Sequence, residues 1–415
     1  MDSGAESPRE IPEIEYTTDT DTRALLGHAT KQAAQRGFED VFIVDIDSHH
    51  NETESWREIV EYFPDDVVRY MALDHLKNRT GSPPYGLNGD LGLRYQDCGG
   101  RILHQGKRGE PVDDDTVHRD VVLARRAYEA MSIDYTVVFP TPMLNVGFHP
   151  QFDMEPIIAH GYNRWFVDRI LAKDDKLGSM IYLPFNDPDA ALKTVEELGD
   201  AKGVVGFMVT SVRHKPVHHN SYMKLYAAIE ETGKPLGFHA GPFWEDSWMK
   251  QMNRFGAMHA LSFVWCNAVH MTNWIWNGLP ERFPGLKVLW IESGLAWVPF
   301  LMQRLDHTYL MRQSEAPLLK KLPSEYMREM YYTNQPMETD HAKALELTFE
   351  MIDAPNRLLY ASDWPHWDFD TPSAIWDLPF LSETDKRNIL GLNAAGLFNL
   401  PVPERMRGGV PAAAE

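Results

Sequence analysis

The sequence predicts an α/β fold: a (β/α)8 TIM barrel with a long insertion after strand 1 acting as a lid. Eight short apolar runs carry that expectation: VFIVDID from Val41, TVVFPTP from Thr136, MIYLPF from Met180, VVGFMVT from Val204, PLGFHAG from Pro235, LKVLWIES from Leu286, MYYTNQP from Met330 and RLLYASDWPH from Arg357. Helical patterns separate most of them, as a parallel sheet closed by helices requires. Residue types that bind metals sit at the ends of runs one, five, six and eight. In such barrels the carboxyl ends of the strands bring distant side chains together.

Each connection has its own reason. Residues 20–37 read as a helix leading into the first strand, after a polar, acidic N-terminal extension (1–40 in all). DMEPIIAHGYNRWFVDRILAK, from Asp153, has helical apolar spacing. PDAALKTVEELGD opens on proline and ends near glycine, as helices prefer, and Gly233 is placed to stop SYMKLYAAIEETGK. The barrel spans 41–400, and 401–415 reads as a tail. The connection over 50–132 is too long for a simple βα unit and is broken by glycine and proline. Such excursions lie over the barrel mouth, so 81–115 is expected to be a lid.

Composition narrows the function. With 40 Lys and Arg against 60 Asp and Glu, the formal charge is −20, which argues against nucleic acid or anionic membrane as a partner. Cys98 and Cys266 are the only cysteines, so no disulfide framework is expected. The N-terminus lacks the apolar core of a signal peptide, and no run of about 20 apolar residues spans a bilayer. A cytoplasmic enzyme is the expectation. The chain has no GxGxxG fingerprint in the right context, no Walker loop, no GxSxG turn, no HExxH and no CxxC pair.

The candidate chemistry starts at DIDSHHNETESW, 45–56. Residues two apart on a strand share a face, so Asp47 and His49 can present a carboxylate and an imidazole to one metal. Asp45 shares that face lower down and reads as structural, and Glu52 follows on the loop. His239 ends run five in GFHAG. Glu292 ends run six in WIESG, where a buried carboxylate needs a partner such as Arg304, or a cation. Asp363, in YASDWPHWD, is a candidate ligand and proton-handling residue, with His366 beside it in a catalytic or substrate role. His259 and His270 are 11 residues apart on one helical stretch, or about 16 Å, so both cannot serve one compact site; His270 is the expected ligand. In SVRHKPVHH, Arg213 with His214 and Lys215 could hold a substrate anion. Trp244 and Trp248 could line an apolar pocket. A small molecule with an apolar or aromatic body is the expected substrate, and a homo-oligomer is compatible with the chain.

VDIDSH, GFHAG, GLPERFPGLKVLWIESGLAWVPFLMQRLD, ASDWPH and ILGLNAAGLFNL together resemble the amidohydrolase superfamily, in its decarboxylase-related branch. That family usually offers His-x-His on strand one, often a metal-bridging lysine on strand four, histidines on strands five and six, and an aspartate on strand eight. Here strand one has Asp47-x-His49, strand four lacks the lysine and strand six has Glu292, while His239 and Asp363 match. The surplus of carboxylates is similar to the TIM-barrel nonheme diiron monooxygenases. That likeness implies two iron ions, one on Asp47, His49, His239 and Asp363, the other on Glu52, His270 and Glu292. It implies hydroxylation of an organic acid, amide or thioester, with electrons from an external reductase. The alternative it leaves is a mononuclear decarboxylase or hydrolase with one Zn or Mn.

Overall fold

A computed structural model of the chain describes residues 22–78, 111–149, 151–211, 215–241, 248–252 and 254–406. Eight strands follow one another around a parallel sheet in sequence order: β1 (Val44–His50), β2 (Tyr135–Pro140), β3 (Leu177–Tyr182), β4 (Val204–Thr210), β5 (Leu236–His239), β6 (Val288–Ile291), β7 (Tyr331–Thr333) and β8 (Leu358–Leu359). The ring closes between β8 and β1, where Ile46 N donates to Tyr360 O at 3.0 Å, Asp363 N to Asp47 O at 2.7 Å and His49 N to Trp364 O at 2.7 Å. Parallel strands with helices outside are covered on both faces, which is why these runs are apolar almost throughout.

The interior is tightly filled. Gly206 on β4 and Gly237 on β5 make room for Met180 of β3; a Cβ at either would come within 3.0 Å of the Met180 side chain. The outer helices form where their ends can be capped. The helix Pro188–Leu198 starts on Asp187, whose side chain accepts from Ala190 N at 3.1 Å. The helix Met223–Thr232 stops at Gly233, whose φ of 69° suits a residue without a Cβ.

Most expected elements fall close to their places. The first helix is Thr22–Arg36, and that from Asp153 is Met154–Arg169. Asp47 and His49 lie within β1 rather than beyond it, because the strand continues to His50 to pair with Pro140. The helix carrying His259 and His270 is Phe255–Trp276. Of the expected lid, 81–110 lies outside the described residues, as do the first 21 residues and 407–415. Among the described residues, no helix is long and apolar enough to cross a membrane.

Candidate metal centre

The carboxyl rim of the barrel gathers six buried polar side chains: Asp47, His49, His239, Glu292, Asp363 and His366. Two sets of four share His49 and Glu292. One adds Asp47 and His239, the other Asp363 and His366, and within each set one ligand atom per residue lies within 4.8 Å of the rest. Strand alternation turns Asp47 and His49 to the same side. Glu292 and Asp363 follow β6 and β8 with φ of 55° and 59°. Non-glycine residues seldom adopt that left-handed conformation, and where they do the surrounding structure must hold them. Here Thr333 Oγ1 accepts from Glu292 N at 3.0 Å, and the Asp47 carbonyl accepts from Asp363 N.

The hydrogen bonds fix how the imidazoles present themselves. His49 Nδ1 is 3.2 Å from the Pro140 carbonyl, and His239 Nδ1 is 2.7 Å from the Ala240 carbonyl. A carbonyl only accepts, so each Nδ1 donates to it, and each ring turns its Nε2 inward. Both Nε2 atoms face carboxylates. His49 Nε2 lies 3.2 Å from Asp47 Oδ1 and 3.3 Å from Asp363 Oδ1, and His239 Nε2 lies 3.3 Å from the same Asp47 oxygen. His366 Nδ1 is 2.6 Å from Asp363 Oδ1, and its Nε2 is 3.4 Å from Thr141 Oγ1. The Phe139 ring packs edge-on against His239 at 4.8 Å.

Asp47 Oδ2, His49 Nε2, Glu292 Oε2 and Asp363 Oδ2 are buried with no hydrogen-bond partner. Burial alone would raise the Asp47 carboxyl, but His239 and His49 outweigh it and bring the group down to about 2. Burial lowers His49. Glu292 and Asp363 go the other way: burial pushes both well above the usual carboxylate range, and neighbouring carboxylates push them further, Asp47 and Asp368 on the first, Glu292 and Asp368 on the second. No lysine or arginine pairs with these carboxylates among the described residues. Three acidic groups and orphaned oxygens buried beside two imidazoles form a cluster that could hold a cation, which would offset their charge. The donor set, mixed carboxylate and imidazole, fits a divalent transition metal.

Glu52 and His270 are not brought to this cluster. Glu52 is fully buried, but its oxygens accept from Thr141 N at 3.0 Å and Met143 N at 2.6 Å, so it ties the β1 loop to the β2 loop. His270 Nε2 is 2.7 Å from the Ser211 carbonyl. The Glu52 oxygens and His270 Nε2 are engaged with backbone elsewhere, and neither residue joins the groups of possible ligands found among the described residues. His259 packs against Phe263 and Trp367, with centroids 4.5 and 5.7 Å away. Arg304 is exposed and does not pair with Glu292. Trp248 is 63% exposed and lines an outer apolar groove with Met249, Met252, Leu261 and Trp265, none of them in the cluster. Arg213 and Trp244 lie outside the described residues. Asp45 is structural, accepting from Ser362 N at 2.8 Å and Ser362 Oγ at 2.5 Å.

One family model, described as amidohydrolase, matches residues 46–400. The chain belongs to the amidohydrolase family. Curated relatives include gamma-resorcylate decarboxylases from Rhodococcus jostii, 23% identical over 59% of this chain and 77% of the relative, and from a Rhizobium species, 25% identical over 59% and 76%. Among solved structures, the 5-carboxyvanillate decarboxylase of Sphingomonas paucimobilis is 20% identical with a TM-score of 0.59, covering 87% of this chain and all of its own. A dihydroxybenzoic acid decarboxylase from Polaromonas, solved with bound manganese and the inhibitor 2-nitroresorcinol, is 19% identical with a TM-score of 0.60 over 88% and 99%. At that identity the solved structures establish the barrel alone.

The relatives overturn the expected diiron monooxygenase, with its iron pair and external reductase. The curated ones are decarboxylases, and they favour the decarboxylase alternative instead. Carboxylate surplus misled because a buried carboxylate such as Glu52 can accept from backbone N–H groups instead of binding a metal.

The sequence reading also passed over two features. His50, next to His49, forms a closed network with Asp120 and Tyr162. Gln335, just past β7, is fully buried, and its Oε1 has no partner. The signal for Gln335 was an Asn-Gln pair ending an apolar run, MYYTNQP, read only as a strand.

Proposed function

We propose that this chain is a metal-dependent decarboxylase of small aromatic acids, with one divalent ion held by Asp47, His49, His239 and Asp363 and bordered by Glu292. The observation that carries the reading is the buried cluster of orphaned oxygens and inward imidazole nitrogens, in a chain whose curated relatives include gamma-resorcylate decarboxylases. Manganese is favoured by the donor set and by its presence in a similar fold. When bound, such an ion supplies Lewis-acid polarisation of substrate oxygens.

The reaction replaces a ring carboxyl with hydrogen. The bond between ring carbon and carboxyl carbon breaks, its electron pair stays on the ring carbon, that carbon takes a proton, and carbon dioxide leaves. Asp363 and His366, 2.6 Å apart, share a proton beside the cluster and are the pair that delivers it; solvent restores it afterwards. Burial of both residues keeps water from competing for that proton. The chemistry consumes neither dioxygen nor electrons.

The test supplies manganese and, under anaerobic conditions, 2,6-dihydroxybenzoate and 5-carboxyvanillate. One carbon dioxide per decarboxylated phenol is expected. Asp363→Asn should lower kcat/KM by at least about 100-fold, the scale of a lost proton donor. No carbon dioxide from any aromatic acid, with metal bound, would sink the reading. Release of a free acid from an amide or ester would point to hydrolysis instead.

A further inference from the structure

The β7 rim carries a polar group that the metal cluster does not use. Gln335 is fully buried two residues past β7. The order of strands puts it between the β6 end, which carries Glu292, and the β8 end, which leads to Asp363. Its amide Nε2 donates to the Asp368 carbonyl at 3.0 Å. Asp368 follows His366 by two residues, and its side chain acts on Glu292 and Asp363 as a neighbouring charge. Gln335 is thus fastened to the segment that forms one wall of the cluster.

That bond fixes the amide. With Nε2 committed to a carbonyl, the planar group has its acceptor, Oε1, on the other side. Oε1 is buried without a hydrogen-bond partner. Asn334, its neighbour, uses Oδ1 to accept from Ala361 N at 2.7 Å, which clamps β7 to β8 and holds Gln335 in place. A buried amide oxygen left unpaired is destabilising, so the fold keeps it at a loss unless a ligand brings a donor. Trp367 Nε1, a donor on the same wall, is likewise buried and unpartnered.

The geometry points to Gln335 as a specificity-determining residue that reads a hydrogen-bond donor, a ring hydroxyl, on the aromatic acid. The assignment rests on the decarboxylase reading and deepens it. Recognition of this kind discriminates strongly, because an analogue without the donor leaves the buried oxygen unpaired.

The probes are 2,6-dihydroxybenzoate and 2,6-difluorobenzoate, alike in size but unlike in donors, bound to the manganese-loaded chain and followed by calorimetry. The unaltered chain should bind the dihydroxy acid at least about 10-fold more tightly, and Gln335→Met should shrink that ratio at least about 5-fold with metal content unchanged. An unchanged ratio in a folded, metal-loaded Gln335→Met variant overturns the assignment. Should that variant not fold, a crystal of the unaltered chain with 2,6-dihydroxybenzoate decides. A hydroxyl within about 3.2 Å of Gln335 Oε1 supports the assignment, and none within that reach overturns it. Carbon dioxide release with an unchanged ratio sinks the Gln335 assignment alone. Absence of both release and binding sinks the decarboxylase reading with it.

Discussion

His49 and His50 are neighbours on β1 and both are buried, yet the two faces of the strand treat them oppositely. His50 looks outward into the helical layer. Its Nδ1 pairs with Asp120 at 2.9 Å, its Nε2 with the Tyr162 hydroxyl at 2.8 Å, and its ring stacks on Phe166 at 4.8 Å. His49 looks into the barrel, where its Nε2 faces two carboxylates and has no hydrogen-bond partner. The same residue type at the same depth is structural where its polar atoms are satisfied, and chemically available where one is not. Unmet polar capacity, rather than burial or residue type, separates a site from a core.

The largest expected effect breaks that comparison directly. His49→Ala should weaken metal binding by more than the roughly 10–100-fold typical of residues that merely support a ligand, with the melting curve of the metal-free chain little changed. His50→Ala should do the reverse. It strands Asp120 and Tyr162 in the interior and should cost about 3–5 kcal/mol in denaturant unfolding, while the variant that remains folded keeps its metal. Elemental analysis with urea titration separates the two, and a loss of metal equal in both would erase the distinction.

A smaller effect sharpens the outer face. Burial alone would raise Asp120, but the His50 hydrogen bond and charge outweigh it and hold its carboxyl below the ordinary 3.8. A depressed carboxyl adds stability above the unfolded value, and that stability is lost as pH falls through the folded one. Asp120→Asn should therefore cost about 1–3 kcal/mol near pH 7. The gap between the two proteins should close below the ordinary carboxylate range. A gap that stays constant from pH 7 to acid would show that the pair is not the source.

The smallest effect concerns the exposed groove. Trp248→Ala alters a side chain 63% exposed and apart from the cluster. It should change stability by no more than about 0.5 kcal/mol and leave kcat/KM for an aromatic acid within about 2-fold. A loss of 10-fold or more would restore Trp248 to the substrate wall.

Much of the fold was legible because a barrel writes its periodicity into the chain. Eight apolar runs at helical separations matched eight strands, and the residues ending them, His239, Glu292 and Asp363, together with Asp47 and His49, reached one rim. Strand alternation is local, so Asp47 and His49 could be paired from spacing alone. Glu52 and His270 could not be judged that way. Nothing near Glu52 in sequence announces Thr141 and Met143, whose N–H groups satisfy it, nor is Ser211 close to His270.

By itself, then, the sequence determined the barrel and set Asp47, His49, His239, Glu292 and Asp363 on its rim, since apolar periodicity and strand register are properties of short segments. Tertiary structure decided which of those residues are left unsatisfied. It closed His50 with Asp120 and Tyr162, spent Glu52 on backbone, and left Asp47, His49, Glu292, Asp363 and Gln335 with open positions. The physical reason is that a hydrogen bond is settled by a partner's position in space, and the barrel draws those partners from segments far apart in the chain.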